Sequence, residues 1–147
     1  MNEMERRLKV EYLQSLRWLE SEIEDDQERL DRLEARMYGA GISHLSDMPK
    51  GGRPVTVDIL VERKEKLIEQ IHAKEARRDQ IVQSVERIPN ERDRRVLKLK
   101  FFEDLTYEEV AEKIDYSPTQ TRRIVDRALK RLKVGQLWSE MNSDGIE

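Results

Sequence analysis

Apolar side chains recur at heptad spacing in the first segment of the chain, from about Glu3 to Tyr38. One heptad position holds Leu16, Ile23, Leu30 and Met37, and the other holds Tyr12, Leu19 and Leu33. Asp26 interrupts this stripe, and the segment contains no Pro or Gly. At a rise of about 1.5 Å per residue, the pattern predicts a helix longer than about 50 Å, whose apolar face must be buried.

A weaker stripe follows a break in the pattern. The stretch from Tyr38 to Pro54 contains four Gly and two Pro, which predicts a loop over about residues 39–54. From about Val55 to Ile88 a second helix is expected, with an apolar stripe through Leu60, Leu67, Ile71, Ile81, Val85 and Ile88, on which Lys64, Lys74 and Arg78 intrude. Two such helices predict an antiparallel hairpin, and we expect it to pack against a further surface, a second copy of itself.

Shorter helices are predicted in the last third of the chain. Pro89 ends the second long helix, because the residue before a proline is disfavoured in the α conformation. Asn90 is expected to cap the next helix, and Thr106 the one after it. In the first of these, Val96, Leu99 and Phe102 recur at helical spacing, with Leu97 beside them.

The residues from Thr106 onward have the layout of a helix-turn-helix. In the short helix from Tyr107 to Ile114, Ala111 is small enough to let a second helix approach closely. Asp115 stands at the turn, where a left-handed backbone is usually provided by Gly. Ser117 followed by Pro118 is typical of the start of a further helix.

The final helix separates apolar from basic side chains. At about 100° per residue, one side carries Thr121, Ile124, Val125, Ala128 and Leu132, and the other Thr119, Arg123, Asp126, Arg127 and Lys130, with Gln120 and Arg122 at the flanks. From Pro118 to Lys133 there are six basic residues and one acidic residue. An exposed helix with this charge suits the major groove of DNA, although most basic helix faces are simply solvated.

The charge of the whole chain hides this basic segment. The 147 residues have a net charge of −3. Residues 1–90 carry 16 Lys or Arg and 19 Asp or Glu, residues 91–134 carry 12 and 9, and residues 135–147 carry none and 3. The basic excess therefore lies in the predicted helix-turn-helix. With 40% charged and 5% aromatic residues, the composition favours long, solvent-exposed helices over one large core.

The sequence does not support several kinds of catalytic, metal-binding or nucleotide-binding site. There is no Cys, which excludes disulfides, thiol nucleophiles and thiolate zinc sites. His44 and His72 are far apart, and the stretch from Lys50 to Pro54 lacks the spacing of a P-loop. We therefore expect no catalytic residue, no metal site, no cofactor and no enzyme activity. No apolar run approaches the roughly 18–20 residues of a membrane span, and the first ten residues lack the apolar stretch of a signal peptide, which together predict a soluble cytoplasmic protein.

The segment from Glu91 to Leu132 resembles region 4 of bacterial sigma factors, which reads the promoter −35 element. The run Leu-Thr-Tyr-Glu-Glu-Val-Ala and the ending Arg-Ala-Leu-x-x-Leu carry the resemblance. The sequence departs from the family at Asp115, where Gly is usual, and at Thr121, where an apolar residue is commoner. The resemblance implies binding of double-stranded DNA.

The order of the segments adds a second resemblance. A helical hairpin, a loop containing Asp-Met-Pro-Lys-Gly-Gly and a sigma-like end are similar to phage and prophage transcription regulators of the RinA and ArpU type. That resemblance implies activation of late genes together with RNA polymerase, in the cytoplasm of a bacterial host cell. Nothing in the chain resembles sigma region 2, so a stand-alone sigma factor is not expected.

The sequence thus predicts an all-α protein with three parts. Residues 1–88 form a coiled-coil-like hairpin for oligomerisation, residues 89–134 a DNA-binding domain and residues 135–147 an acidic tail. The predicted oligomerisation residues are Leu16, Leu19, Ile23, Leu30, Leu33, Leu67 and Ile71. Thr119, Gln120, Arg123 and Arg127 are predicted to meet base edges or nearby phosphates, and Arg122, Lys130, Arg131 and Lys133 to meet phosphates, while Ser117 caps the helix and touches the DNA backbone.

Two alternative functions remain open at this point. The first is a DNA-packaging factor similar to a terminase small subunit, which also combines a helix-turn-helix with an oligomerising region. The second is a protein module that binds polymerase or a sigma factor without touching DNA. Salt-dependent binding to random duplex DNA argues against the second, because Lys and Arg contacts to phosphates release counterions.

Overall fold

A computed structural model describes residues 1–38 and 57–135. The helices are α1 (Glu3–Tyr38), α2 (Val57–Glu86), α3 (Glu91–Leu97), α4 (Tyr107–Ile114) and α5 (Pro118–Arg131), and one π-helical turn (Lys98–Phe102) follows α3. The described ranges contain no strand, so the predicted all-α fold, with two long N-terminal helices before a helix-turn-helix, is confirmed. The predicted loop at 39–54 and the tail after Gly135 lie outside the described residues. The described helices lack the combination of length and apolar character that a bilayer crossing demands.

The chain divides into two compact units. One contains residues 20–76, and the other contains residues 1–19 together with residues from 77 onward. Both long helices therefore contribute residues to each unit. The division at residue 88 between an oligomerisation part and a DNA-binding part stays a prediction about function.

In the unit of residues 20–76, the two long helices run antiparallel. Lys74 Nζ lies 2.7 Å from Asp26 Oδ2, and Lys64 Nζ lies 3.6 Å from Glu34 Oε1. The later residue of α1 therefore pairs with the earlier residue of α2, as it does in an antiparallel pair. A small core fills the space between them, made of Leu33, Met37 and Leu60 with the half-buried Leu67. Antiparallel pairing agrees with the hairpin that the sequence predicts.

Asp26, which interrupts the heptad stripe of α1, has a hydrogen-bond partner on α2. Asp26 is 1% exposed and accepts hydrogen bonds from Lys74 Nζ at 2.7 Å and from Arg29 Nη1 at 3.0 Å. The hydrogen bond to Asp26 raises the pKa of Lys74 above its ordinary value. The buried carboxylate of Asp26 therefore has cationic partners on both helices, and the half-buried Lys74 that weakens the stripe of α2 is one of them.

The second unit contains the large core of the molecule. Tyr12, Leu13, Leu16 and Leu19 of α1 and Ile81 and Val85 of α2 lie in one cluster with Val96, Leu97, Val110, Val125, Ala128 and Leu129. The Tyr12 hydroxyl lies 2.6 Å from Ser84 Oγ, so the buried phenol is hydrogen-bonded. The helix-turn-helix thus shares its core with the first five turns of α1, a contact that the sequence did not predict.

The π-helical turn shifts the register of the aromatic residues. The N–H of Glu103 donates to the carbonyl of Lys98, five residues earlier, at 3.0 Å. This wider turn rotates the following side chains away from the α-helical period. Phe101 consequently belongs to the core, at 4% exposure. Phe102, which the α-helical spacing predicts for the core, is only partly buried and packs against the core cluster.

Candidate nucleic-acid interface

Helix α4 begins at a reciprocal pair of hydrogen bonds. Thr106 Oγ1 accepts from the N–H of Glu109, and Glu109 Oε1 accepts from the N–H of Thr106, both at 3.1 Å. Two backbone donors at the start of the helix are thereby satisfied. The cap predicted at Thr106 is present, and it sets the direction of the first helix of the motif.

The turn between the two helices has the left-handed backbone that the motif requires. Asp115 adopts φ 62° and ψ 46°, and the N–H of Tyr116 donates to the carbonyl of Ala111 at 3.1 Å. Asp tolerates this region better than most residues other than Gly. Ala111 is 3% exposed, in keeping with its predicted place at the helix contact. The departure from Gly at Asp115 therefore leaves the turn geometry intact.

Helix α5 begins at a second reciprocal pair. Ser117 Oγ accepts from the N–H of Gln120 at 3.2 Å, and Gln120 Oε1 accepts from the N–H of Ser117 at 3.1 Å, with Pro118 as the first helical residue. Thr121 is completely buried, and its hydroxyl donates to the carbonyl of Ser117 at 2.8 Å. The polar atom at this second departure from the family is thus satisfied inside the helix.

Helix α5 has one buried side and one exposed side, as the sequence predicts. Its buried side is formed by Thr121, Ile124, Val125 and Ala128, with Leu132 directly after the helix, and it also includes Leu129, which the sequence pattern left out. The nine residues predicted to bind DNA are all exposed: Ser117, Thr119, Gln120, Arg122, Arg123, Arg127, Lys130, Arg131 and Lys133. Their exposure meets the first requirement for contact with DNA, and their individual roles stay predictions.

The residues predicted to bind DNA differ in the contacts that their side chains already make within the protein. Gln120 is held by its cap, Arg122 lies over the ring of Tyr107 with 4.9 Å from Cζ to the ring centroid, and Arg131 Nη1 donates to Asp93 Oδ2 at 3.0 Å. Within the described part of the chain, Arg123, Arg127 and Lys130 make no ion pair. We therefore expect these three to reorient most freely towards a ligand.

One further arginine lies beside the recognition helix. A shallow cavity of about 210 Å³ is lined by Arg92, Tyr116, Gln120, Arg123, Ile124 and Arg127. Arg92 Nη1 donates to the hydroxyl of Tyr116 at 3.1 Å, and among the described residues its buried Nε has no hydrogen-bond partner. Three guanidinium groups on one concave wall favour binding of an anion such as a phosphate. The basic run after Asn90 is the sequence pattern that could have drawn attention to Arg92.

The opposite edge of α5 is bordered by side chains from α1. Arg6 Nε donates to Asp126 Oδ1 at 3.1 Å, and Lys9 Nζ donates to the carbonyls of Leu129 at 2.8 Å and Lys130 at 3.3 Å. Burial lowers the pKa of Lys9, and the charge of Glu5 opposes that effect. These contacts join residues about 120 positions apart, so no local pattern in the sequence could have revealed them.

The segment that contains this surface matches a known protein family. Residues 90–134 match the sequence model of the family described as Sigma-70, region 4. The matched segment contains α3, α4 and α5 and leaves out both long helices. Neither the curated proteins nor the solved structures contain a significant match to the chain. The match confirms the predicted sigma region 4-like helix-turn-helix and indicates a DNA-binding function connected with transcription.

Proposed function

We propose that the protein is a sequence-specific regulator of transcription that binds double-stranded DNA through α5. The observation that carries the proposal is the division of α5 into a buried apolar side and an exposed basic side, within a segment that matches sigma region 4. A recognition helix needs that division, because one side must pack while the other enters the major groove. In this proposal the protein is not an enzyme and uses no cofactor.

The contacts that these side chains make within the protein support different proposed roles along the surface. Thr119 and the free side chains of Arg123 and Arg127 are placed to read base edges. Lys130, and Arg131 with its side chain half exposed beside Asp93, are assigned to phosphates, where only charge and reach are needed. Arg92 joins the phosphate-binding group because it shares a cavity with Arg123 and Arg127.

Footprinting of the purified full chain on fragments of the neighbouring genome tests this function. We expect one or a few protected sites, bound at least about 10³-fold more tightly than random duplex at the same salt concentration. Random duplex itself should bind weakly and with a steep salt dependence. Absence of salt-dependent binding to every duplex would favour a protein module that contacts polymerase or a sigma factor instead.

We further propose that the regulator activates phage or prophage late genes together with RNA polymerase. Support comes from the order of the parts, in which two long helices precede a region 4-like end. Transcription from the footprinted promoter with purified RNA polymerase tests this step, and added protein should raise the yield of transcript. Unchanged or reduced transcription would contradict activation while leaving DNA binding intact.

Self-association through the long helices is also part of the proposal. Of the seven predicted residues, Leu16, Leu19, Leu30, Leu33 and Ile71 are buried within the single chain, whereas Ile23 and Leu67 are only half-buried. A groove of about 470 Å³ lies beside Leu33 and the half-buried Leu67, so the apolar stripe is incompletely covered at Leu67. Basic side chains line most of the rest of the groove: Arg29, Arg32, Arg36, Arg63 and Lys66. We propose that a second copy covers it, which would place two recognition helices on paired half-sites.

Sedimentation of the full chain at micromolar concentration tests the self-association. We expect a dimer, and Leu67→Lys should shift it towards the monomer because a further positive charge would enter a contact already lined by five cations. Glu69→Gln, an exposed change in the same helix, is the matched control. A stable wild-type monomer would contradict the proposal, and a large ring would favour a packaging factor.

A further inference from the structure

Arg6, on the second turn of α1, contacts two elements of the helix-turn-helix. Its Nε donates to Asp126 Oδ1 at 3.1 Å, and its Nη2 donates to the hydroxyl of Tyr107 at 3.2 Å. Asp126 is the one acidic residue between Pro118 and Lys133. The side chains of Arg6 and Asp126 stay 40% and 51% exposed. Arg6 therefore neutralises the single anion of the recognition helix while remaining open to solvent.

Two more cations meet at the same tyrosine. Lys100 Nζ lies 4.7 Å and Arg122 Cζ 4.9 Å from the centroid of the Tyr107 ring. Together with Arg6, three positive charges surround one phenol, and Asp126 is paired with one of them, Arg6. The local excess of positive charge favours an anion, and cation–π contacts hold the cations in place.

The first turns of α1 are fixed against the recognition helix. Lys9 Nζ donates to two carbonyls at the end of α5, at 2.8 Å and 3.3 Å. One turn further on, Tyr12 and Leu13 belong to the core that also contains Val125 and Leu129. Arg6 is therefore held in position before any ligand arrives, which lowers the entropic cost of using it.

From these contacts we propose that α1 supplies part of the DNA-binding surface. Arg6, with Lys100 and Arg122 around Tyr107, binds a phosphodiester of duplex DNA beside the bases that α5 reads. A guanidinium carries five N–H donors, so the two bonds to Asp126 and Tyr107 leave others for phosphate oxygens. The inference rests on the proposed DNA binding, and Arg6 lies outside residues 90–134, which match the family.

The salt dependence of binding to random-sequence duplex DNA tests the phosphate contact. Arg6→Ala should reduce the slope of log K against log salt by about 0.9, the value for one lost phosphate contact. Because a phosphate carries no sequence information, the ratio of specific to random binding should stay constant. Arg6→Lys, which keeps the charge, should retain the wild-type slope.

Arg17→Ala is the matched control. Arg17 is also an α1 arginine, and its Nη1 lies 3.1 Å from Asp104 Oδ2, with both side chains exposed. It stands eleven residues beyond Arg6, roughly 16 Å further along the helix. This variant loses the same charge from the same helix, and we expect its slope to equal that of the wild type.

A double variant separates phosphate binding from mere neutralisation of Asp126. Arg6→Gln with Asp126→Asn removes both charges and leaves the net charge unchanged, and Gln can still hydrogen-bond to Tyr107. If Arg6 binds phosphate, the slope of the double variant stays reduced by about 0.9. A return to the wild-type slope would overturn the inference, because Arg6 would then act only on Asp126. Thermal melting of each variant shows that the fold is kept.

The failure of this inference can be told apart from failure of the proposed function. If the wild-type chain shows no salt-dependent binding to duplex DNA, the proposed function fails and the inference falls with it. If the wild type binds and both Arg6→Ala and Arg6→Gln keep its slope, only the role of α1 is overturned.

Discussion

Arg123 and Arg127 are the two side chains of α5 that combine a central position with freedom to move. Both are exposed, and both line the cavity that also contains Arg92. An arginine that pairs with a guanine edge contributes to the discrimination between bases, whereas one that pairs with phosphate contributes equally on every sequence. The two roles therefore give different results in a binding assay.

Arg123→Ala should weaken binding to the specific site by about 1–3 kcal/mol and relax the preference at one base position. Competition between the specific fragment and its single-base variants, at fixed salt, measures both effects. Arg17→Ala, an exposed α1 change for which no DNA contact is proposed, serves as the control and should bind as the wild type does. Wild-type binding by both Arg123→Ala and Arg127→Ala would show that α5 does not enter the groove in the proposed way.

Two aspartates in ion pairs differ sharply in burial and offer a matched comparison. Asp93 is fully buried and pairs with Arg131 at 3.0 Å, whereas Asp104 is 64% exposed and pairs with Arg17 at 3.1 Å. Asp93→Ala should lower the free energy of unfolding by about 1–3 kcal/mol, because Arg131 loses its acceptor. Asp104→Asn should lower it by no more than about 1 kcal/mol, since the pair is screened by water and Asn tolerates the left-handed backbone at this position (φ 57°) as Asp does. Urea denaturation of the full chain measures both, and equal losses would contradict the ranking.

At the residue scale, local chemistry was predictable and remote partners were not. The caps at Thr106 and Ser117 and the left-handed turn at Asp115 follow from residues within four positions of one another. The pairing of Arg131 with Asp93 spans 38 positions. Sequence spacing therefore identified Arg131 as exposed and basic, but could not show that part of its charge is already engaged.

The long helices raise the question of why Asp26 and Lys74 interrupt their own stripes. Removing one partner of a buried pair leaves a charge without compensation, whereas replacing both by apolar residues is often neutral or stabilising. Asp26→Leu combined with Lys74→Met should therefore be at least as stable as the wild type in urea denaturation. Lys74→Met alone should be less stable, because the buried Asp26 keeps only the hydrogen bond from Arg29. A double variant less stable than this single variant would refute the argument.

At the element scale, periodicity predicted the helices and missed one turn. The second long helix was expected over about residues 55–88 and occupies Val57–Glu86. The π-helical turn at Lys98–Phe102 was not predicted, because one wide turn changes the spacing of only a few side chains. Val96 and Leu99 are buried as expected, and the register changes only beyond them.

At the scale of the whole molecule, the segment that matches sigma region 4 shares its core with the start of α1 and the end of α2. Tyr12, Leu13 and Leu16 are buried in the same core as Val125 and Leu129, more than a hundred positions away. A contact at that separation leaves no periodic pattern in the sequence. The family match, limited to residues 90–134, covers only part of that shared core.

The shared core predicts which fragments of the chain can fold. An isolated segment of residues 89–135 lacks the side chains of α1 and α2 that cover its apolar surface, and about 45 residues rarely bury enough surface alone. It should show no cooperative unfolding transition by circular dichroism. A chain of residues 1–19 joined to residues 77–135 by a flexible Gly/Ser linker keeps the whole core, so it should unfold cooperatively and, as a monomer, retain salt-dependent binding to random duplex DNA. Cooperative unfolding of the 89–135 segment alone would show that the α1 and α2 contacts are dispensable for the fold of the DNA-binding domain.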